Sequence, residues 1–174
     1  MGAVILLATL TGCPYNSIYK IDNEPQNYTD DTYLGKWKTT IKDQDSIAHD
    51  IHLDITRKND FEYTIVFSGS FYNIKAQCAP NKKDSIFSTA FMSIVGPKQI
   101  LNIEANGRIY LAEFKYENDQ ISILPLADHF TSKFIKSNQD LKNAVTFHFK
   151  TRLFPLYDDL FCLRNMTRVI DQPI

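Results

Sequence analysis

The chain has 174 residues, of which 19 are basic and 20 acidic, so its formal net charge is −1. A near-neutral chain lacks the strongly basic surface that binds phosphate backbones, which makes nucleic acid a poor partner. Twelve Phe, nine Tyr and one Trp favour strands over helices, and about 160 residues beyond the N-terminal segment suit one domain with a sizeable core.

The first twelve residues read as a signal peptide and not as a membrane span. No charged side chain occurs in residues 1–12, and Ala3 to Leu10 is an apolar block of h-region length that is too short to cross a bilayer. Leu10-Thr11-Gly12-Cys13 resembles the lipobox of bacterial lipoproteins, in which the chain is cut before the cysteine and the thiol is acylated. The resemblance implies a palmitate-type membrane anchor at Cys13 and a place in the cell envelope, by analogy at the outer membrane facing the periplasm.

The alternative for this segment is that residues 3–10 form a buried strand and Cys13 is an ordinary core thiol. The n-region of lipoproteins carries Lys or Arg, whereas only Met1 and Gly2 precede the apolar block, so we expect the true start to lie upstream. The predicted organisation is a signal peptide over 1–12, a lipidated cysteine with a polar tether or collar over 13–33, a single β-barrel domain over 34–170, and a frayed tail over 171–174.

Two further cysteines remain if Cys13 carries lipid. An envelope compartment permits a disulfide between Cys78 and Cys162, which would close a loop of about 85 residues and stabilise the fold by roughly 4 kcal/mol in the chain-entropy model. Both cysteines would serve equally well as small buried hydrophobic residues, so this alternative stays open.

Alternating apolar and polar residues predict a series of short strands. In chain order these are 35–41, 49–57, 61–67, 71–78, 85–95, 100–104, 108–116 and 120–126. Asn106-Gly107 predicts a hairpin turn because both residues tolerate positive φ, and Asn118-Asp119 predicts a second. The pattern favours an antiparallel up-and-down sheet that curls into a barrel or sandwich, because closure removes exposed strand edges.

The apolar period changes after Leu126. Residues 127–134 could hold one or two helical turns, and Ser137 resembles an N-cap with Asp140 three positions on. These signals predict a short helical insert that covers an end or a side of the barrel. Strand patterns then return in 145–152 and in 159–167.

Leu34-Gly35-Lys36-Trp37 is similar to the Gly-x-Trp motif at the first strand of lipocalins. In that family the Trp packs at the closed end of the barrel under a basic side chain from near the last strands, and the element order is eight strands, a helix and a further strand. The resemblance implies that Gly35 and Trp37 pack at a barrel end. Because residues 120–126 hold no basic side chain, Arg164 or Arg152 would have to cover the ring. The alternative is that Trp37 is a large core residue of an unrelated sheet.

The chain from Cys13 to about Arg164 also resembles the small lipoproteins common in Bacteroidota. Those proteins share the lipobox, a polar lead, Leu-Gly-Lys-Trp, a β-meander, a helix and a closing strand with Leu-Arg-Asn. This resemblance implies a location and a lipocalin-like fold, and it brings no assigned activity.

No set of residues specifies a reaction. His49 and His52 are three apart on a predicted strand and point to opposite faces, so they cannot jointly bind a metal without a bulge. The other histidines are isolated, with His148 in a late strand, and Asp158-Asp159 is expected in a solvated turn. No nucleophile elbow, phosphate-binding glycine loop or Cys-x-x-Cys occurs. We therefore expect no catalytic residue, no metal and no cofactor.

Aromatic side chains are the one surplus. Those on strands that could line a barrel mouth are Tyr63, Phe67, Phe71, Tyr72, Phe87, Phe91, Tyr110 and Phe114. We expect a non-enzymatic, lipid-anchored envelope protein that binds a small hydrophobic ligand or a protein partner. The alternatives are an envelope assembly or interaction subunit with a solid barrel core, and a hydrolase whose active site the sequence does not display.

Overall fold

The structure, a computed structural model, describes residues 14–42, 48–69, 85–151, 156–159 and 161–170. Within these ranges lie nine strands, one 3₁₀ turn and one α-helix. The strands are β1 Asn16–Ser17, β2 Gly35–Lys42, β3 Ala48–Arg57, β4 Glu62–Gly69, β5 Ser85–Val95, β6 Lys98–Ala105, β7 Arg108–Glu117, β8 Gln120–Pro125 and β9 Leu163–Arg168. The 3₁₀ turn is Asp31–Tyr33, and the helix α1 is Asn138–Thr151.

Eight of the strands close into an antiparallel barrel. Strands β2 to β8 form a meander in which each pairs with the next, and β9 pairs with both β8 and β2 to close it. The predicted fold class, a mainly β up-and-down antiparallel barrel with a short helical insert before the last strand, is confirmed. The short strand β1 pairs with the part of β7 that β8 leaves uncovered, through Asn16 opposite Tyr110.

The local signals for strand and turn are those expected from the sequence. On β3 the buried residues are His49, Ile51, Leu53 and Ile55, at every second position, and the three apolar ones belong to the interior core, so this face points into the barrel. The two predicted hairpin turns are present, and φ is positive at both residues of Asn106-Gly107 and of Asn118-Asp119. This conformation suits the right-handed twist of the flanking strands.

The segment after β8 differs from the prediction. Residues 127–134 contain no helix but one hydrogen-bonded turn, in which the Phe130 amide donates to the Ala127 carbonyl at 3.0 Å. Helix α1 begins at Asn138, and Ser137 accepts a hydrogen bond from the Asp140 amide at 3.1 Å as the predicted N-cap. The strand predicted over 145–152 is wrong, because α1 continues through Thr151. The sequence alternates apolar and polar residues there, but the side chains that become buried recur every three or four residues, as in a helix.

The predicted strand 71–78 lies outside the described residues. The barrel is closed without it, because β4 pairs directly with β5, with Phe67 opposite Ile86. The strand that completes the circle is β9, which follows the helix in the chain.

Two apolar cores lie on either side of one barrel wall. The first fills the barrel interior. The second lies between the outer face of β5 to β7 and the elements that cover it, and its members are Ile21, Val95, Ile100, Ile109, Leu111, Leu126, Phe130, Leu141, Ala144 and Val145. The helix therefore covers a side of the barrel and not an end.

Residues 14–33, which we call the collar, are packed against the barrel. The Tyr15 amide donates to the Leu126 carbonyl at 2.7 Å, and the amide of the buried Ile21 donates to Asn102 Oδ1 at 2.7 Å. Asn102 is itself buried, and its amide nitrogen donates to Ser93 Oγ at 2.9 Å. A buried backbone amide needs such a partner, so this hydrogen bond fixes the collar to the wall.

Candidate functional site

Trp37 is the centre of the closed end of the barrel. Its ring is fully buried, and its indole nitrogen donates to the Tyr33 carbonyl at 3.0 Å. The guanidinium of Arg168 lies over the ring, 4.2 Å from its centroid, and donates to the carbonyls of Leu34 and Thr32. One cation thus covers the aromatic face and satisfies two carbonyl oxygens of the chain that enters β2.

Gly35 makes room for this arrangement. Its φ is +123°, a backbone conformation that residues other than glycine rarely adopt. A Cβ at this position would lie 2.6 Å from Arg168 Nη1. The contact with Arg168 therefore explains sterically why the first residue of the Gly-x-Trp motif is glycine. A larger residue would displace the guanidinium from Trp37.

The prediction that Arg164 covers Trp37 is wrong. In the β2–β9 pairing the residue opposite Trp37 is Arg168, whereas Arg164 lies four positions earlier on β9, towards the other end of the barrel. Arg164 instead pairs with the exposed Asp159 at 2.7 Å. Arg152 lies outside the described residues.

The closed half of the barrel interior is filled by aromatic and aliphatic side chains. The Tyr33 ring lies 4.7 Å from that of Phe114 and 5.7 Å from that of Tyr116, between centroids. A cavity of about 10 Å³ remains beneath them, lined by Tyr33, Ile55, Tyr63, Ile65, Met92, Leu101 and Phe114. That volume is about enough for one water molecule, so this cavity offers no room for an organic ligand.

We call the part of the interior where β4 ends and β5 begins the open half. Ile41, Phe67 and Tyr110 pack against the interior core there and remain partly buried, as Tyr33, Leu34 and Tyr116 do at the closed end. Of the eight predicted lining residues, Tyr63, Phe67, Tyr110 and Phe114 belong to the interior core or pack against it. Phe71 and Tyr72 lie outside the described residues.

Phe87 and Phe91 do not line the interior, contrary to the prediction. On β5 the inward positions are even-numbered, with Ala90 and Met92 in the interior core, so both phenylalanines point outward. Phe87 is 71% exposed, whereas Phe91 is buried under the collar, with the Lys20 ammonium 5.8 Å from its ring centroid.

A buried carboxylate on the outer wall was missed by sequence reasoning. Glu113 lies on the outward face of β7 with its side chain 2% exposed. Lys98 Nζ lies 2.7 Å from its carboxylate, Lys115 Nζ lies 3.8 Å away, and the Tyr157 hydroxyl donates to it. Strand alternation places Glu113 outside, where solvent would be expected, and no local signal shows that residues 156–158 cover it. The hydrogen bond from Tyr157 to Glu113 attaches residues 156–158 to the barrel wall.

The remaining candidates for chemistry are separate from one another. His49 is buried and His52 is exposed, on opposite faces of β3 as predicted. His148 is buried on α1 and does not lie in a strand. Asp158 is buried, which corrects the expected solvated turn. Among the residues that the structure describes, no three His, Cys, Asp or Glu side chains are grouped so as to hold a metal ion.

Cys162 is a buried free thiol whose pKa is raised to about 12 by desolvation. Since the thiolate is the nucleophilic form, this side chain is unreactive near neutral pH. The structure has Cys162 as a free thiol and does not show the predicted disulfide with Cys78, which itself lies outside the described residues. Cys13 lies outside them as well.

These features define a closed eight-stranded antiparallel β-barrel protein with a packed closed end and a covered outer wall. Within the described ranges, no helix combines the length and the apolar character needed to cross a membrane. Comparisons with protein-family models, curated proteins and solved structures found no match for this chain.

Proposed function

We propose that this chain is a non-enzymatic, lipid-anchored protein of the cell envelope whose lipocalin-like barrel binds a small hydrophobic ligand in its open half. The lipocalin likeness is supported by the closed end, where Gly35, Trp37 and Arg168 form the arrangement that the Gly-x-Trp motif implies. The anchor is supported by Leu10-Thr11-Gly12-Cys13. We therefore expect the protein in the membrane fraction of the cells that produce it.

The collar connects Cys13 to the barrel. Pro14 directly follows Cys13 and forms an antiparallel bridge with Ala127. Acyl chains on Cys13 would therefore be attached one residue from the folded body, with no spacer between barrel and bilayer. A Cys13→Ser variant should leave the membrane fraction and stay folded, whereas Cys162→Ser should remain membrane-bound; equal distribution of the two variants would contradict the anchor.

The ligand proposal is supported by one observation, which is that three partly buried hydrophobic side chains lie together at the open end, where β4 ends and β5 begins. Ile41, Phe67 and Tyr110 present apolar surface there that neighbouring side chains only partly cover. A pocket that is mainly apolar, with few polar groups, is the usual site for a small hydrophobic molecule in a barrel.

Photolabelling tests this proposal on the protein in isolated membranes. A fatty acid with a diazirine group should label peptides that contain Phe67 and Tyr110, and excess unlabelled fatty acid should suppress that labelling. Phe67→Ala should lower the competable labelling about tenfold, since a buried phenylalanine contact is worth roughly 1.5–3 kcal/mol. Phe87→Ala is the matched control, because Phe87 lies one strand away and points outward. An equal effect of both variants would refute the ligand site.

A second candidate is an interaction subunit with a solid barrel. It is favoured by the cavity of only about 10 Å³ in the closed half. In this case the photolabel should give no competable signal inside the barrel, and crosslinking of the anchored protein should recover one defined envelope partner.

A further inference from the structure

Two exposed phenylalanines lie on the helix side of the molecule. Phe134 is 87% exposed and Phe147, on α1, is 48% exposed. The Lys133 ammonium, from the residue before Phe134, lies 5.1 Å from the centre of the Phe147 ring. We call Lys133, Phe134 and Phe147 the aromatic patch. Single exposed hydrophobic residues are common on protein surfaces, so what distinguishes these two rings is the lysines around them.

The surroundings of the aromatic patch are positively charged. Residues 127–151 contain four lysines and two aspartates, and one of the lysines, Lys142, is paired with Asp22 of the collar at 2.7 Å. Lys136 and Lys150 are exposed on this segment, and Lys150 lies three residues after Phe147 on the same helix face. Phenylalanine flanked by lysine is the composition of surfaces that sit in the headgroup region of anionic bilayers.

The N-terminal end of the collar lies close to this patch. Pro14 bridges to Ala127, and the Tyr15 ring packs edge-on against Phe130 at 4.8 Å between centroids. Phe134 follows Ala127 by seven positions, a chain length that spans at most about 25 Å. Cys13, the residue that would carry the acyl chains, is therefore bonded to a residue that pairs with the start of the segment carrying the patch.

We propose that the aromatic patch inserts into the headgroup region of an anionic bilayer and forms a second membrane contact beside the anchor. Its setting rests on the proposed anchor, but its chemistry depends only on Lys133, Phe134, Phe147 and the lysines around them. Two contacts fix the orientation of the barrel on the membrane, whereas acyl chains alone leave the body free to rotate.

Tryptophan quenching in vesicles tests the proposal with the full chain. Phe134→Trp places a fluorescent ring in the patch, and the native Trp37 is fully buried and gives a constant background. His52→Trp is the matched control, because His52 is exposed on the outward face of β3, a strand that does not belong to the wall covered by α1. The vesicles contain phosphatidylcholine and phosphatidylglycerol with brominated acyl chains, which quench only rings that reach them.

The expected result is a loss and a blue shift of emission for Phe134→Trp, neither for His52→Trp, and a smaller loss on phosphatidylcholine alone. Equal quenching of the two variants, or none with the chain bound to the vesicles, would overturn the proposal. A lipid-independent blue shift that grows with protein concentration would also overturn it, by indicating self-association. If the vesicle-bound chain carries no acyl mass and Phe134→Trp is still quenched, the anchor fails and the patch stands.

Discussion

Replacing Arg168 with alanine should destabilise the barrel although the side chain is exposed. The substitution removes a cation stacked on Trp37, worth about 0.5–1 kcal/mol at an exposed site. It also leaves the carbonyls of Leu34 and Thr32 without their donors, at about 0.5–1.5 kcal/mol each before the discount for solvent access. The expected loss in the free energy of unfolding is about 2 kcal/mol.

Urea denaturation followed by tryptophan fluorescence measures this loss, and the chain has a single Trp that reports on the site itself. Arg164→Ala is the matched control on the same strand. Its surface ion pair with Asp159 is worth less than about 1 kcal/mol, so its transition midpoint should hardly move. The reasoning would be refuted if Arg164→Ala destabilised the protein as much as Arg168→Ala, or if Arg168→Ala left the midpoint unchanged.

Three further changes probe other parts of the structure. Gly35→Ala should cost about 1–3 kcal/mol through backbone strain, and in a double-mutant cycle it should couple to Arg168→Ala, because both act on the same guanidinium; additive losses would contradict this. Cys162 should resist alkylation at pH 8 in the native protein and react once urea is added, since its pKa is raised to about 12 by burial; peptide mass mapping reads the result, and rapid native labelling would be inconsistent with a buried thiol. Asn102→Leu should speed amide hydrogen exchange at Ile21, because the Ile21 amide loses its acceptor. Ser122→Ala, at a site on another wall, is the control and should leave the exchange rate of that amide unchanged.

Much of the barrel could be predicted because its signals are local. Alternation on β3 and the Asn106-Gly107 turn depend on residues adjacent in the chain, and the structure has both as expected. Local reasoning failed for α1, where side chains that alternate in sequence satisfy a helix as well as a strand. Packing of Leu141 and Val145 against the barrel wall decides between the two, and that contact is long-range.

The candidate site was predicted only in part, for the same reason. Trp37 and its need for a basic cover follow from the motif, but which arginine provides it depends on the register of β9 against β2. Phe87 and Phe91 of β5 were predicted to line the barrel interior, but both lie at positions of this strand that point outward. Glu113 carries no local signal, since its burial comes from Tyr157 in a distant segment.

We propose that fatty acyl chains on Cys13 hold the barrel against a membrane. The direct test is the intact mass of the protein extracted from membranes of the cells that produce it, with peptide mapping of the first residues. We predict a chain that starts at Cys13 and carries the added mass of acyl groups on that residue. A chain with an unmodified Cys13 thiol, recovered from the soluble fraction, would contradict the account.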